Sequence, residues 1–426
     1  MHTESIEIQP WRRPLDADVT VPGSKSYTNR ALLVAALAQG ETRLTGALFS
    51  DDTSYMSQAL QKLGVVVKPD AGACLFEITG NGGRIPVDRA DLYIGNAGTA
   101  ARSLVSYVAL GNGTFVVDGD EPMRRTRPIS GLLDALVGLG VDARSRSDNG
   151  CLPVVVNARG FKGGKTQIDA SKSSQFLTSL MLTAPYTADG LQIETIGDLK
   201  RQYIDITMAV MQAFGVSVDH DDYRVFHIAG GQCYQPREYA IEPDASNASY
   251  FFAAAAISGG RVRVDNISID SAQGDIHFVD VLEKMGCTVG RYADAIEVIG
   301  PSTLKAVEVD MKEISDTSLT LAAIAPFAEG PVTIRNIEHT RWQETDRIRA
   351  MTTELRKLGV EVVERRDGVT ISPSKISPAA IDTYEDHRMA MSFSLVGLRA
   401  PGIRINNPAC VSKTFPAYFE VLASLP

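Results

Sequence analysis

Five glycines set the frame of this chain. Gly64, Gly140, Gly215, Gly286 and Gly359 each close a helical run ending on a leucine-like residue, as in Leu60-Gln61-Lys62-Leu63-Gly64-Val65, and they recur at intervals of 71 to 76 residues. A glycine just past a helix turns the backbone into the left-handed region without strain and lets a strand begin. Stops of this kind at near-constant spacing mark a repeated supersecondary unit. A second, more apolar helical signal runs in the same phase, beginning near Lys25, Gly98, Ser174, Ser246, Thr317 and His387. Each of these helices starts polar and then is apolar on nearly every side, the pattern of a helix buried all round. Most are followed by Gly and an alternating strand, such as Gly40 to Thr45 or Gly260 to Val264. The predicted unit is βαβαββ, roughly 72 residues long and present six times.

A chain of 426 residues is too long for one ordinary core, so the six units are expected in two α/β domains of three. The sixth unit is cut short, since Tyr418-Phe419-Glu420-Val421-Leu422 opens its outer helix and few residues follow. Ile6-Glu7-Ile8 is the candidate for its missing strand. The expected division is a discontinuous domain of residues 1–21 and 243–426 and an inserted domain of residues 22–242. The chain would then cross twice, near Val21 and near Glu242, and a paired crossing is a natural hinge.

Composition narrows the partners. Hydrophobic content is 44% and no apolar window is long enough to span a membrane, while Met-His-Thr-Glu-Ser-Ile-Glu has no signal-peptide character, so a cytoplasmic protein is expected. The five cysteines, Cys74, Cys151, Cys233, Cys287 and Cys410, are odd in number and scattered, which predicts free thiols rather than disulfides or structural zinc. A net charge of -9 disfavours nucleic acid and acidic membranes. An anionic ligand would need local clusters of Lys and Arg.

Such clusters fall at the helix starts. Pro22 and Gly23 break a strand, Ser24 stands as N-cap, and Lys25, Ser26 and Arg30 follow at the positive end of the first buried helix. The other starts read Gly95-Asn96-Ala97-Gly98-Thr99, Ser171-Lys172-Ser173-Ser174-Gln175, Asp244-Ala245-Ser246-Asn247, Asp316-Thr317-Ser318 and Asp386-His387-Arg388. Capping accounts for the Ser and Asp residues. It does not account for Lys25, Gln175, His387 or Arg388, because a cation opposes the dipole at a helix N-terminus unless an anion lies between them. Parallel packing of the buried helices would bring these tips together.

Further cations lead into the outer helices: Arg124, Arg125 and Arg127, Arg341 to Arg347, and Lys413. Pro128 holds Arg127 extended, which suits a bidentate contact to carboxylate or phosphate. Arg124 and Arg125 read equally well as solvated surface residues. Gly95 and Gly98 permit close approach to the backbone, and Arg102 adds a charge behind them. Asp316 and Glu344 are the two carboxylates that stand among cations, an arrangement suited to removing one proton and delivering another. The sequence presents no Cys-His or Ser-His-Asp set at these starts and no carboxylates at metal-binding spacing. Proton transfer and electrostatic stabilisation, without metal, cofactor or covalent nucleophile, is the expected chemistry.

Pro22-Gly23-Ser24-Lys25-Ser26 with Arg30, Gly95-Asn96-Ala97-Gly98-Thr99-Ala100, Arg127-Pro128-Ile129, Ser173-Ser174-Gln175-Phe176, Gln202-Tyr203-Ile204-Asp205-Ile206-Thr207, Glu344-Thr345-Asp346-Arg347, Asp386-His387-Arg388-Met389-Ala390 and Lys413-Thr414-Phe415-Pro416 together resemble the 5-enolpyruvylshikimate-3-phosphate synthases. The resemblance covers essentially the whole chain. It implies an enolpyruvyl-transferase fold, two domains each built as an inside-out α/β barrel. The implied reaction belongs to the shikimate pathway of aromatic amino-acid synthesis: enolpyruvyl passes from phosphoenolpyruvate to the 5-hydroxyl of shikimate 3-phosphate, through a tetrahedral intermediate, with release of phosphate. It further implies that Lys25, Gly98, Arg127, Gln175, Arg347, Arg388 and Lys413 hold phosphoenolpyruvate. Lys25, Ser26, Arg30, Ser173, Ser174, Gln175, Tyr203 and Asp316 would hold shikimate 3-phosphate. In the same reading Asp316 accepts the hydroxyl proton, Glu344 protonates the methylene carbon, Lys25 assists phosphate loss and His387 relays or supports. A monomer is implied, as is a site that the herbicide glyphosate can occupy. Gln343, His339 and Lys200 depart from the bacterial pattern, which has lysine, asparagine and serine there, so no ligand role is carried onto them.

Three rival readings remain. A UDP-N-acetylglucosamine enolpyruvyl transferase would share the fold but uses a cysteine in the loop corresponding to Glu121–Pro128, where this chain has none. An RNA-end-processing enzyme is disfavoured by the acidic chain and the lack of aromatic platforms among basic patches. A non-catalytic binding protein for phosphorylated ligands would keep the helix starts and release no phosphate.

Overall fold

The computed structural model describes residues 4–170, 173–197 and 199–426. Two compact units result, one of Met1–Pro22 with Pro243–Pro426 and one of Gly23–Glu242. Among the described residues there are six sheets, three per unit, five of four strands and one of three. The repeat is plain in Arg89–Tyr93, the buried helix Gly98–Val108, Asn112–Asp118, the outer helix Ser130–Gly138, Asp142–Ser145 and Val154–Arg159. The first two strands pair parallel, as a strand-helix-strand crossover requires, and the last two pair antiparallel as a hairpin. Strand residues alternate between buried and exposed, so one face of each sheet covers the helices and the other faces water.

The glycine stops do what their spacing predicts. Gly64, Gly140, Gly215, Gly286 and Gly359 all have φ between 81° and 101°. Each is bracketed by the same pair of bonds, for example Val65 N to Leu60 O at 3.0 Å and Gly64 N to Gln61 O at 3.0 Å, repeated at Val360 to Leu355 and Gly359 to Arg356. The otherwise orphaned carbonyls of the last helical turn are thereby satisfied.

Within each unit three buried helices run parallel. In the Gly23–Glu242 unit these are Lys25–Leu37, Gly98–Val108 and Gln175–Thr183. Gln175, first in its helix, donates to Thr99, second in its neighbour, at 3.3 Å, and Ser179 Oγ donates to the Arg102 carbonyl one turn further on. In the other unit Ala245–Ser258, Ser318–Ile324 and His387–Gly397 meet through Ser249, Thr320 and Ser392, whose hydroxyls lie 3.1 and 3.5 Å apart. Small and hydroxylated residues at these levels let the three backbones approach. The helices are thus interior as expected, but the barrel does not close. Each sheet ends on its own edge strand, and no strand of one sheet extends the ladder of the next among the described residues.

Both crossings of the chain are made just after a strand that stays with the unit being left. Asp16–Val19 pairs parallel with Arg261–Asp265, and Glu238–Ala240 pairs parallel with Gln39–Thr45. Ser5–Ile8 pairs antiparallel with Ile403–Asn406 and completes the three-stranded sheet. Ile8 of that strand packs so tightly on the last buried helix that a Cβ built at Gly397 would lie 2.5 Å from Ile8 Cβ. Gly397→Val should therefore destabilise the protein by about 1–3 kcal/mol through overpacking. Urea unfolding checks this, and an unchanged midpoint would mean that the N-terminal strand is not fixed there.

Candidate active site

In the Gly23–Glu242 unit the helix tips carry cations held mostly by neutral oxygens. Arg30 is buried, and its guanidinium donates to Thr207 Oγ1 at 2.9 Å, to the carbonyls of Ser26 and Tyr203 at 3.0 and 3.1 Å, and to Thr178 Oγ1 at 3.4 Å. Among the described residues no carboxylate pairs with it, and burial pulls its pKa down to about 10. A buried cation satisfied only by dipoles favours a nearby anion. Arg127 is likewise buried, with Nη1 donating to the carbonyl and to Oδ1 of Asn96 at 2.9 and 2.5 Å. Its guanidinium lies over Gly98, where an added Cβ would come within 2.5 Å of Nη2. Gly98 therefore makes room for Arg127 itself, a reason the sequence does not reveal.

Arg102 fixes this corner by donating to the carbonyls of Gly98 and Pro128 at 3.2 and 2.9 Å. Lys25 Nζ lies 3.8 Å from Asp52 Oδ2. Ser24 holds the N-cap position but makes no capping side-chain bond, and the same is true of Ala97 and Ser174 at the other two starts. Ser173 Oγ accepts from Gln175 N at 3.3 Å, Ser26 is half-buried, and the Tyr203 carbonyl is committed to Arg30. Ser171 and Lys172 lie outside the described residues. Arg124 and Arg125 are surface residues paired with Asp118 and Glu121, so they form no part of this cluster.

The other unit assembles a different cluster. Arg347, 1% exposed, opens the outer helix Arg347–Lys357 and is its hub. Nε donates to Asp386 Oδ2 at 2.7 Å, Nη1 to Asp316 Oδ1 at 2.9 Å and to Gln343 Oε1, and Nη2 to Glu344 Oε2 at 3.0 Å. Burial would lower its pKa, but Asp386, Glu344 and Asp316 outweigh that and hold it firmly charged. Arg388 donates to the other oxygen of Asp316 at 2.8 Å, and Lys413 to the other oxygen of Glu344 at 2.9 Å. Each of the two singled-out carboxylates is thus clamped between two cations. Arg388 is also held charged, Asp316 again prevailing over burial. Of the two structural readings that the sequence left open for Asp316, cap or ion pair, the structure shows the ion pair. A 3-10 segment, Lys312–Thr317, kinked at Ile314, precedes the fifth buried helix, and from it the Asp316 carboxylate meets the two arginines.

Asp386 does cap its helix, accepting from Arg388 N at 2.9 Å, and in addition grips Arg347, a second task hidden behind the first. His387 is fully buried with Nδ1 3.5 Å from Asp386 Oδ1. Gln343, one of the departing residues, spends its oxygen on Arg347, and His339 Nε2 lies 2.8 Å from Ser315 Oγ. Lys200 is buried just before the Arg201–Ala213 helix.

Two repeated α/β units with cation-bearing helix tips define the class, the fold shared by enolpyruvyl transferases. A solved EPSP synthase from Acinetobacter baumannii superposes with a TM-score of 0.84 at 26% identity, covering 99% of this chain and 98% of that one. The enolpyruvyl transferase NikO from Streptomyces tendae shares the fold at a TM-score of 0.75. The family model for EPSP synthase (3-phosphoshikimate 1-carboxyvinyltransferase) matches residues 11–422. The 3-phosphoshikimate 1-carboxyvinyltransferases of Nostoc sp. and Aeromonas salmonicida are 50% and 48% identical, the first over 98% and the second over 99% of both chains. This chain belongs to the EPSP synthase family.

Arg347→Ala would leave three carboxylates around an empty buried position. It should cost about 3–5 kcal/mol in urea unfolding, the usual consequence of stripping one partner from a buried ionic network. A loss below about 1 kcal/mol would show that the network is solvated in solution.

Proposed function

We propose that the protein transfers the enolpyruvyl group of phosphoenolpyruvate to the 5-hydroxyl of shikimate 3-phosphate and releases phosphate. The observation that carries this reading is the division of labour between the two clusters. One offers cations without carboxylate partners, Arg30 and Arg127, beside uncapped helix starts, and so suits the phosphate and carboxylate groups of the ligands. The other offers two carboxylates, Asp316 and Glu344, each fixed by two cations.

In this reading Ser26, Arg30, Ser173, Ser174, Gln175 and Tyr203 hold shikimate 3-phosphate. Gly98, Arg127, Gln175, Arg347, Arg388 and Lys413 hold phosphoenolpyruvate, and Lys25 serves both. Asp316 takes the proton of the attacking hydroxyl. Glu344 delivers a proton to the methylene carbon, giving the tetrahedral intermediate, and loss of phosphate with reversal of that protonation restores the double bond. Arg347, bonded to both carboxylates, holds them apart and oriented, with His387 packed behind Asp386.

Asp316→Ala and Glu344→Ala should retain ligand binding and lose at least 100-fold in turnover, about the contribution of a general acid or base. A phosphate-release assay with both substrates measures this, and near-normal turnover in either variant would remove that residue from the mechanism. Absence of release from the unaltered protein would favour the non-catalytic reading. Gly98→Ala should push the Arg127 guanidinium off Asn96 and raise the KM for phosphoenolpyruvate about tenfold, with little change in stability because the displaced group is a flexible side-chain end. An unchanged KM would mean that Arg127 does not hold that substrate.

A further inference from the structure

Asp275 is a buried acid that none of these roles uses. It lies in the single turn Gly274–His277, packed against the Ala245–Ser258 helix and the turn that carries Asp316. Its Oδ2 accepts from the Ser246 hydroxyl, while Oδ1 is enclosed with no hydrogen-bonding partner among the described residues. The charged groups that act on it are Asp316 and Asp244, both negative, and Arg388. On its own turn and the helix that follows, His277, Glu283 and Lys284 are solvent-exposed and Asp280 is half-buried, with Asp280 and Glu283 paired to Arg291. On the neighbouring turn Glu313 is exposed and Lys312 half-buried.

Arg388 already gives Nη2 to Asp316 at 2.8 Å. An ionised Asp275 would compete for that guanidinium and leave a charged oxygen enclosed without a donor, whereas a neutral one does neither.

We propose that Asp275 is a positioning residue for the transfer reaction: as a neutral carboxylic acid it leaves Arg388 to Asp316 and to the incoming anion, and its ionisation withdraws Arg388 from both. The inference rests on the roles given above to Asp316 and Arg388. The only chemical change is loss of the Asp275 proton to water. Burial, and next the charge of Asp316, push this acid up to about 7 despite the pull of Arg388. The raised value means that the neutral form prevails below that pH and is lost as pH rises through it.

Asp275→Asn keeps the shape and cannot ionise. The kcat/KM for phosphoenolpyruvate, measured for variant and wild type between about pH 6 and about pH 8.5, tests the proposal as a ratio in which the titration of the substrate phosphates cancels. The ratio should rise about tenfold or more across this range, as one group titrating near neutrality dictates. A flat or falling ratio overturns the proposal, since a merely structural defect scales activity equally at every pH. Wild-type protein gives a second measurement that needs no folded variant. Difference infrared spectra over the same range should show a buried carboxylic-acid band lost as pH rises, and absence of that band overturns the proposal. Turnover retained by Asp316→Ala would sink the role of Asp316 while leaving the infrared band in place, so the two failures are distinguishable.

Discussion

Three parallel helices with their N-termini side by side place like partial charges together, and something negative has to answer them. The two units answer differently. Where Ala245–Ser258, Ser318–Ile324 and His387–Gly397 begin, the protein supplies the anions itself, Asp244 and Asp386 as caps and Asp316 in the preceding turn. Where Lys25–Leu37, Gly98–Val108 and Gln175–Thr183 begin, the N-cap residues make no capping side-chain bond, Ser173 accepting from Gln175 N instead, and Arg30 and Arg127 stand nearby with Asp52 beside Lys25. Of its cations, Arg30 and Arg127 have no carboxylate partner among the described residues. One architecture therefore yields cations held by neutral oxygens in one unit and carboxylates clamped between cations in the other.

The clamped set depends on a single guanidinium. Arg347 has five donors in a rigid fork and uses them on Asp386, Asp316, Glu344 and Gln343. A lysine at that position could not address three carboxylates in fixed directions, whatever its charge. The fork holds Asp316 and Glu344 on separate nitrogens, and Arg388 and Lys413 secure the far oxygen of each.

Much of this was legible in the sequence because it is written in periodicity and in local rules. Glycine stops near every 73rd residue, apolar helices in the same phase and polar tips at their starts are features of consecutive residues, and consecutive residues are what a sequence displays. What escaped lies across long separations. Asp386 reads as a cap because it precedes a helix, and its grip on Arg347, 39 positions away, leaves no local trace. Asp316 could be read as a cap or as an ion-pair partner, and only its place in the 3-10 segment before the helix, beside Arg347 and Arg388, decides for the ion pairs. Asp275, within Ser-Ala-Gln-Gly-Asp-Ile-His, carries no motif at all, and its burial against Asp316 and Arg388 arises from packing between repeats.

The two crossing strands have a consequence for how such a chain was assembled. Ser24 N donates to Glu242 O at 2.7 Å, so the two ends of the Gly23–Glu242 segment are stitched to each other. Asp244 N donates to Pro22 O at 2.9 Å, so the lips of the gap it leaves are stitched as well. A continuous segment with touching ends, interposed at a point where the flanking chain is also closed, has the anatomy of an inserted domain. Each of the two pieces holds every strand of its own sheets among the described residues.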